Sequence, residues 1–177
     1  ARYTETQFLP GTNVYYSFGV HPLFAEYDGH VVAGIDSATY RNKATNALEI
    51  WDDNLNFNFV YTSNPLYADL TINWALIDGR SGILGFQAAI DPNGNGIVSG
   101  PNEGLSVIFM DIEDFRTFDA TIRHEVGHAI GLGHDESRDD LMNSRLSGSE
   151  TITAYDVSKA AELYGYNATG SGDTASR

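Results

Sequence analysis

Three of the five histidines in this 177-residue chain fall within twelve residues, in the stretch HEVGHAIGLGHD (124–135). His124 and His128 are four apart, so on a helix they share a face and both imidazoles can reach one ion. Glu125 lies one residue round, close enough to touch a water on that ion without being a ligand. A continuing helix would carry the next side chains past the ion. Gly131 is placed to take the left-handed conformation that ends a helix and turns the chain. His134 then comes back as a third nitrogen ligand. Three protein ligands with an open fourth position are the arrangement of a catalytic zinc rather than a closed structural one. The chemistry would be hydrolysis, with zinc lowering the pKa of a water to about 7 and Glu125 taking its proton as general base.

The competing reading is a helix whose two histidines serve packing or capping. From this composition, H-E-x-x-H arises by chance in on the order of one sequence in a hundred. Requiring Gly131 and His134 as well lowers that to on the order of one in fifty thousand. Three histidines and an acid at ligand spacing have no packing rationale, so the cluster is read as chemistry.

The elements that must position it follow from the pattern of apolar residues. NVYYSF (13–18) reads as a strand. A helix is predicted from about Ser37 to Asn54, where Tyr40, Ala44, Ala47, Leu48 and Trp51 make one apolar stripe. Strands are predicted at 57–62 and 68–77, followed by a glycine- and asparagine-rich stretch, 78–104, interrupted by the apolar GILGFQAAI (82–90). LSVIFM (105–110) is another strand, and the histidine helix runs from about Phe118 to Gly131. A last helix opens at Thr153, where TAYD has a reciprocal Thr-x-x-Asp capping pattern, and ends near Gly165. The order predicts an α+β fold with helices packed on one twisted sheet. Residues 1–166 are expected to form one domain and 167–177, small and polar, a disordered tail.

Composition bounds the function. With 24 acidic against 10 basic residues and a net charge of −14, the chain lacks the basic face that nucleic-acid binding needs. No apolar run approaches the roughly 20 residues needed to span a bilayer, so no membrane partner is expected. The acid is either a solubilising surface or in part a set of cation ligands. The absence of cysteine rules out disulfides, thiolate zinc sites and a thiol nucleophile. There is no basic, apolar, small-residue leader and the chain opens on Ala1, as a processed mature chain would, or equally a trimmed one.

H-E-x-x-H-x-x-G-x-x-H followed by a methionine turn is the metzincin metalloprotease signature, and the chain resembles that group. DDLMNS places Met142 eight residues after His134 with no tyrosine just behind it, which resembles the matrixin branch. ALEIWDDNLNFNFV (47–60), ADLTI (68–72) and VSKAAELYGY (157–166) resemble the matrixin first helix and strand, its Ala-Asp-Ile strand and its closing helix. The resemblance implies a twisted, mostly parallel five-stranded sheet with two long helices, and an active-site helix followed by a Met-turn and a C-terminal helix. It implies peptide-bond hydrolysis, with Glu125 delivering its proton to the leaving amine and Met142 as an apolar floor under the imidazoles. Animal matrixins usually carry a second, structural zinc. Here Phe86 stands where one of its histidines is expected, and His21 and His30 lie too far upstream, so one zinc is expected.

Calcium is also implied by the resemblance. Asp78-Gly79 with Asp111 and Asp114 fit one family site, and Asp69 with Asp91, Asn93 and Asn95 of DPNGNG could serve a second; ordinary turns with solvated side chains are the alternative. Substrate would add as an extended strand along ILGFQ (83–87), which includes Leu84, Gly85 and Phe86. The segment after Met142, about Asn143 to Ser147 and including Ser144, would form the opposite wall of the specificity pocket. By family analogy Ala120 would help set its depth, open to a sizeable apolar side chain. The Pro and Tyr that often follow the methionine are replaced by NSRLSG. Asp135 either orients a neighbouring group or begins the next loop. The expectation is a secreted, monomeric zinc endopeptidase acting on proteins or peptides. The alternatives are a hydrolase of another small amide and a non-catalytic calcium- or matrix-binding module on the same fold. The intact Glu125 argues against the last.

Overall fold

The computed structural model describes residues 3–77, 83–137, 140–145 and 151–167. Strands β1 (Asn13–Ser17), β2 (Glu26–Tyr27), β3 (His30–Val31) and β4 (Ala33–Gly34) precede helix α1 (Ala38–Asp52). Then come β5 (Asn58–Tyr61), β6 (Leu70–Ala75), β7 (Gly85–Ile90) and β8 (Leu105–Asp111), and finally helices α2 (Phe118–Ile130) and α3 (Ala154–Tyr164). Each predicted helix and strand is present, with ends shifted by a few residues. The Thr153–Asp156 capping box opens α3 as its sequence implies.

The sheet is mixed, in the order β5-β1-β6-β8-β7. The β5–β1, β1–β6 and β6–β8 pairs are parallel and β7 runs antiparallel to β8. These are the five strands expected, but the sheet has a sixth. β4 pairs antiparallel with β6 through Ala33 and Gly34, continuing the edge of β6 where β1 stops at Ser17. Two residues, Ala-Gly, carry no alternation, so only their place beside β6 makes them a strand. β2 and β3 form a separate ribbon across Asp28-Gly29, both at positive φ as a two-residue hairpin requires.

β6 and β8 are buried along almost their whole length because the sheet is covered on both faces. The helices lie on one side, over a core that includes Leu48, Trp51, Ile72, Ile108, Phe118 and Ile122. On the other, Phe24 and Tyr27 pack on a smaller cluster of Val32, Ala75, Val107 and Phe109. Trp51 locks α1 to α2: its ring is fully buried, and its Nε1–H donates to the Arg123 carbonyl at 3.0 Å. α2 is thereby held one residue from the histidine pair.

Candidate active site

α2 carries His124 and His128 one turn apart, and their Nδ1 atoms each lie 2.7 Å from a carbonyl, of Leu141 and Leu132 respectively. A carbonyl only accepts, so each Nδ1 carries the proton and each Nε2 keeps a free lone pair. The helix ends at Gly131, which takes φ 119°, ψ 9°, and the reversed chain brings His134 back. Its Nε2 lies 3.2 Å from the Nε2 of His124 and 3.2 Å from that of His128. A tetrahedral ion with Zn–N bonds of about 2.0–2.1 Å would set its nitrogens about 3.3 Å apart. Three converging nitrogens, two with lone pairs fixed by their carbonyl partners, repel one another without a cation, so the donor set fits zinc. Among the described residues this is the one group of three or more His, Cys, Asp or Glu side chains close enough to share an ion. Burial depresses His124 and holds His128 down at about 4, keeping both imidazoles neutral and able to ligate.

Glu125 is buried beside them at 6% exposure, and desolvation pushes its carboxyl up to about 8 in the absence of a cation. It lines a cavity of about 430 Å³ that also takes in His124 and His134. Ile83, Leu84 and Gly85 form the strand side of that cavity. Leu141, Asn143, Ser144 and Arg145 form the far side, and Thr121 joins Glu125 on the helix side. Gly85 permits the close approach: a Cβ there would lie 2.9 Å from Thr121 Cγ2 and 3.0 Å from Glu125 Cγ. Gly127 does the same inside the helix, where a Cβ would collide with Met142 Sδ and reach Trp51 Cζ2 at 3.1 Å. The buried Met142 returns its carbonyl to the Asp135 N–H at 2.9 Å, tying the stretch behind the histidines to the one before it.

Residues 30–165 match the sequence profile of the matrixin peptidase family. The chain belongs to the matrixin family. It is similar to karilysin of Tannerella forsythia, with 30% identity over 139 residues, 71% of this chain and 28% of that protein. It is also similar to metalloendoproteinase 5-MMP of Arabidopsis thaliana, with 26% identity over 139 residues, 69% of this chain and 38% of that one. The matched region thus spans only about a third of the length of these curated relatives. Family membership implies the metzincin fold and zinc, in keeping with the α+β architecture and the histidine triad.

Of the pocket residues expected for this matrixin, Leu84, Gly85, Asn143 and Ser144 line the cavity, whereas Ala120 and Phe86 do not. Thr121, rather than Ala120, stands one helical turn before Glu125 on the same face. Phe86 points to the opposite side of β7 from Gly85, as strand alternation demands, and stacks near Tyr27 with ring centroids 6.0 Å apart. Arg145, inside the wall expected over 143–147, also lines the cavity, whereas Thr121 and Leu141 were not legible as lining residues because helix phase and the return of the chain decide them. His21 caps the turn at 22–24, its Nδ1 accepting from the Leu23 N–H at 3.1 Å, and His30 sits exposed in β3. Asp135 begins the next loop: its Oδ1 accepts from the Ser137 N–H at 3.1 Å, and the residue is buried.

The acidic residues are dispersed. Asp78 and Gly79 lie outside the described residues. Asp111, almost fully buried, caps the 3-10 turn 112–117 by accepting from the Glu113 N–H at 3.0 Å, and Asp114 sits at the kink of that turn. Asp69 is 7% exposed, and its two oxygens each accept a backbone N–H at 2.9 Å, from Tyr15 and Gly100. Asp91 Oδ2 accepts from the Gly96 N–H at 2.8 Å. Asn93 and Asn95 both turn their amide nitrogens to Glu103 Oε2, at 3.2 and 2.8 Å. Glu103 had no signal in the sequence pattern, because its partners stand eight and ten residues away.

Proposed function

We propose that this matrixin is a secreted, monomeric zinc endopeptidase. Its catalytic domain spans 1–166, with 167–177 as a tail, and it acts on proteins or peptides without nucleic-acid or membrane partners. The observation that carries the reading is the convergence of three imidazole nitrogens beside a buried carboxyl at the wall of an open cavity. His124, His128 and His134 would hold the zinc, which supplies a water of lowered pKa and polarises the scissile carbonyl. Glu125 accepts the proton of the attacking water at a carboxylate oxygen and returns it to the nitrogen of the leaving amine. The Leu141 and Leu132 carbonyls keep His124 and His128 in the ligating tautomer. Met142, pressed on Gly127, forms the apolar floor of the site.

Substrate lies extended along β7, with one side chain in the cavity between Gly85 and Asn143–Ser144. No helix among the described residues is long and apolar enough to cross a membrane. Calcium supports the loops around the site, with Asp111 and Asp114 on one side and the 91–95 loop on the other. The test is Glu125→Ala: casein and gelatin cleavage is lost while about one zinc per chain stays bound. Equal cleavage by that variant would sink the mechanism. Absence of zinc from active wild-type protein would sink the metal assignment.

A further inference from the structure

We propose that Tyr27 is a positioning residue: from the hairpin β2–β3 its ring clasps the edge strand β7 and so fixes the rail on which substrate adds. This rests on the reading that substrate lies extended along β7. That strand ends the sheet and pairs with β8 alone, and among the described residues no strand covers its outer edge. None of its six residues is fully buried, whereas all seven of β8 are. A strand held from one side frays more readily than a central one. A peptide that adds by backbone hydrogen bonds nevertheless needs that edge straight and in register.

One face of β7 is held by α2, where Gly85 lies against Thr121 and Glu125. The other carries Phe86, whose register partner on β8 is the buried Phe109. Tyr27 bridges these two rings, with centroids 6.0 Å from Phe86 and 5.3 Å from Phe109 and planes tilted by 54° and 53°. Phe24 adds an edge contact on Phe109 at 6.1 Å. The deciding observation is the route of the chain. The hairpin follows β1, yet β6 and β8 separate β1 from β7 in the sheet. The chain therefore crosses the face of the sheet to reach β7 and comes back as β4 beside β6. With two residues in each strand and no pairing to the main sheet, the hairpin is too short to stand alone. Packing holds it there. Of residues 26–31 only Tyr27 is not exposed, and with Phe24 it sits on the cluster of Val32, Ala75, Val107 and Phe109, which also takes in Ala88 of β7. Tyr27 thus acts through Phe86 and not on substrate. Strand addition is felt equally in the ground and transition states, so loss of the clasp falls on KM.

The experiment compares wild type, Tyr27→Ala, Tyr27→Leu and Tyr27→Phe, each as the whole chain with zinc added, by amide hydrogen exchange and by kinetics on one peptide. Tyr27→Ala should speed exchange of the β7 amides about tenfold and leave those of β1 and β5 within about twofold. It should raise KM about threefold to tenfold, with kcat within about twofold. Tyr27→Phe, which keeps the ring, should restore both readouts. Should Tyr27→Ala fail to fold, Tyr27→Leu, which keeps bulk without the ring, is read by the same measures. β7 amides no faster than those of β1 and β5, or a chain that speeds up throughout, would overturn the proposal. So would a fall in kcat at unchanged KM, the mark of lost folded enzyme, and so would a Phe variant that behaves as Ala does. If wild type cleaves no peptide, the peptidase reading fails, and exchange at β7 alone decides the clasp.

Discussion

The turn at 124–142 and the loop at 91–103 both gather ligand-type side chains, but in opposite states of readiness. At the first, helical spacing and one left-handed glycine bring His134 Nε2 to 3.2 Å from both other Nε2 atoms, with two tautomers set by carbonyls. At the second, the asparagines point nitrogen, not oxygen, at the neighbouring acid. The difference lies in the backbone. A helix fixes where i and i+4 side chains meet, whereas a glycine-rich loop leaves its oxygens free to be taken by whichever N–H is nearest. A site built the first way is preorganised for chemistry; one built the second is not.

That contrast can be broken at the zinc turn first. Glu125→Gln keeps the shape and removes the base, so kcat/KM on a peptide substrate should fall about 10²–10⁴-fold with zinc content unchanged. A much smaller loss would mean the turn is no more chemical than the loop. Next in size is Gly127→Ala, which forces a methyl against Met142 and Trp51. Overpacking of this kind costs about 1–3 kcal/mol, to be read by urea unfolding. An unchanged midpoint would show that the floor of the site yields as readily as a loop.

A pH series sharpens the same point. In zinc-free protein, burial holds the Glu125 carboxyl at about 8 against an ordinary 4.5. A raised carboxyl contributes stability that is fully present below the unfolded value, and that contribution is lost as pH rises from about 4.5 to about 8. Zinc-free Glu125→Gln should therefore match wild type near pH 4 and exceed it near pH 8 in the same unfolding assay. Parallel curves would remove the burial argument. The smallest effect belongs to the loop. Chelating calcium from a millimolar solution should lower Tm by only about 3 °C, and an unchanged Tm would remove calcium from the reading.

Much of this protein was legible as pattern. The apolar stripe of α1, the Thr153–Asp156 cap, the strands of the main sheet and the spacing His124-x-x-x-His128 are local, and local geometry follows from periods of 3.6 and 2. The three histidines proposed to hold zinc belong to this class because both the helix and its glycine stop are written in consecutive residues. What the tertiary structure alone decided depends on chain segments meeting. β4 became a strand because β1 ends early beside β6. Gly127 is glycine because Met142 and Trp51 converge on it from opposite ends of the domain. Thr121 displaced Ala120 from the cavity by helix phase, and Asp69 came to hold backbone amides of Tyr15 and Gly100 that no spacing rule connects to it. Sequence determines what a side chain can do within a turn or two of backbone; which partner claims it across the fold is settled by packing.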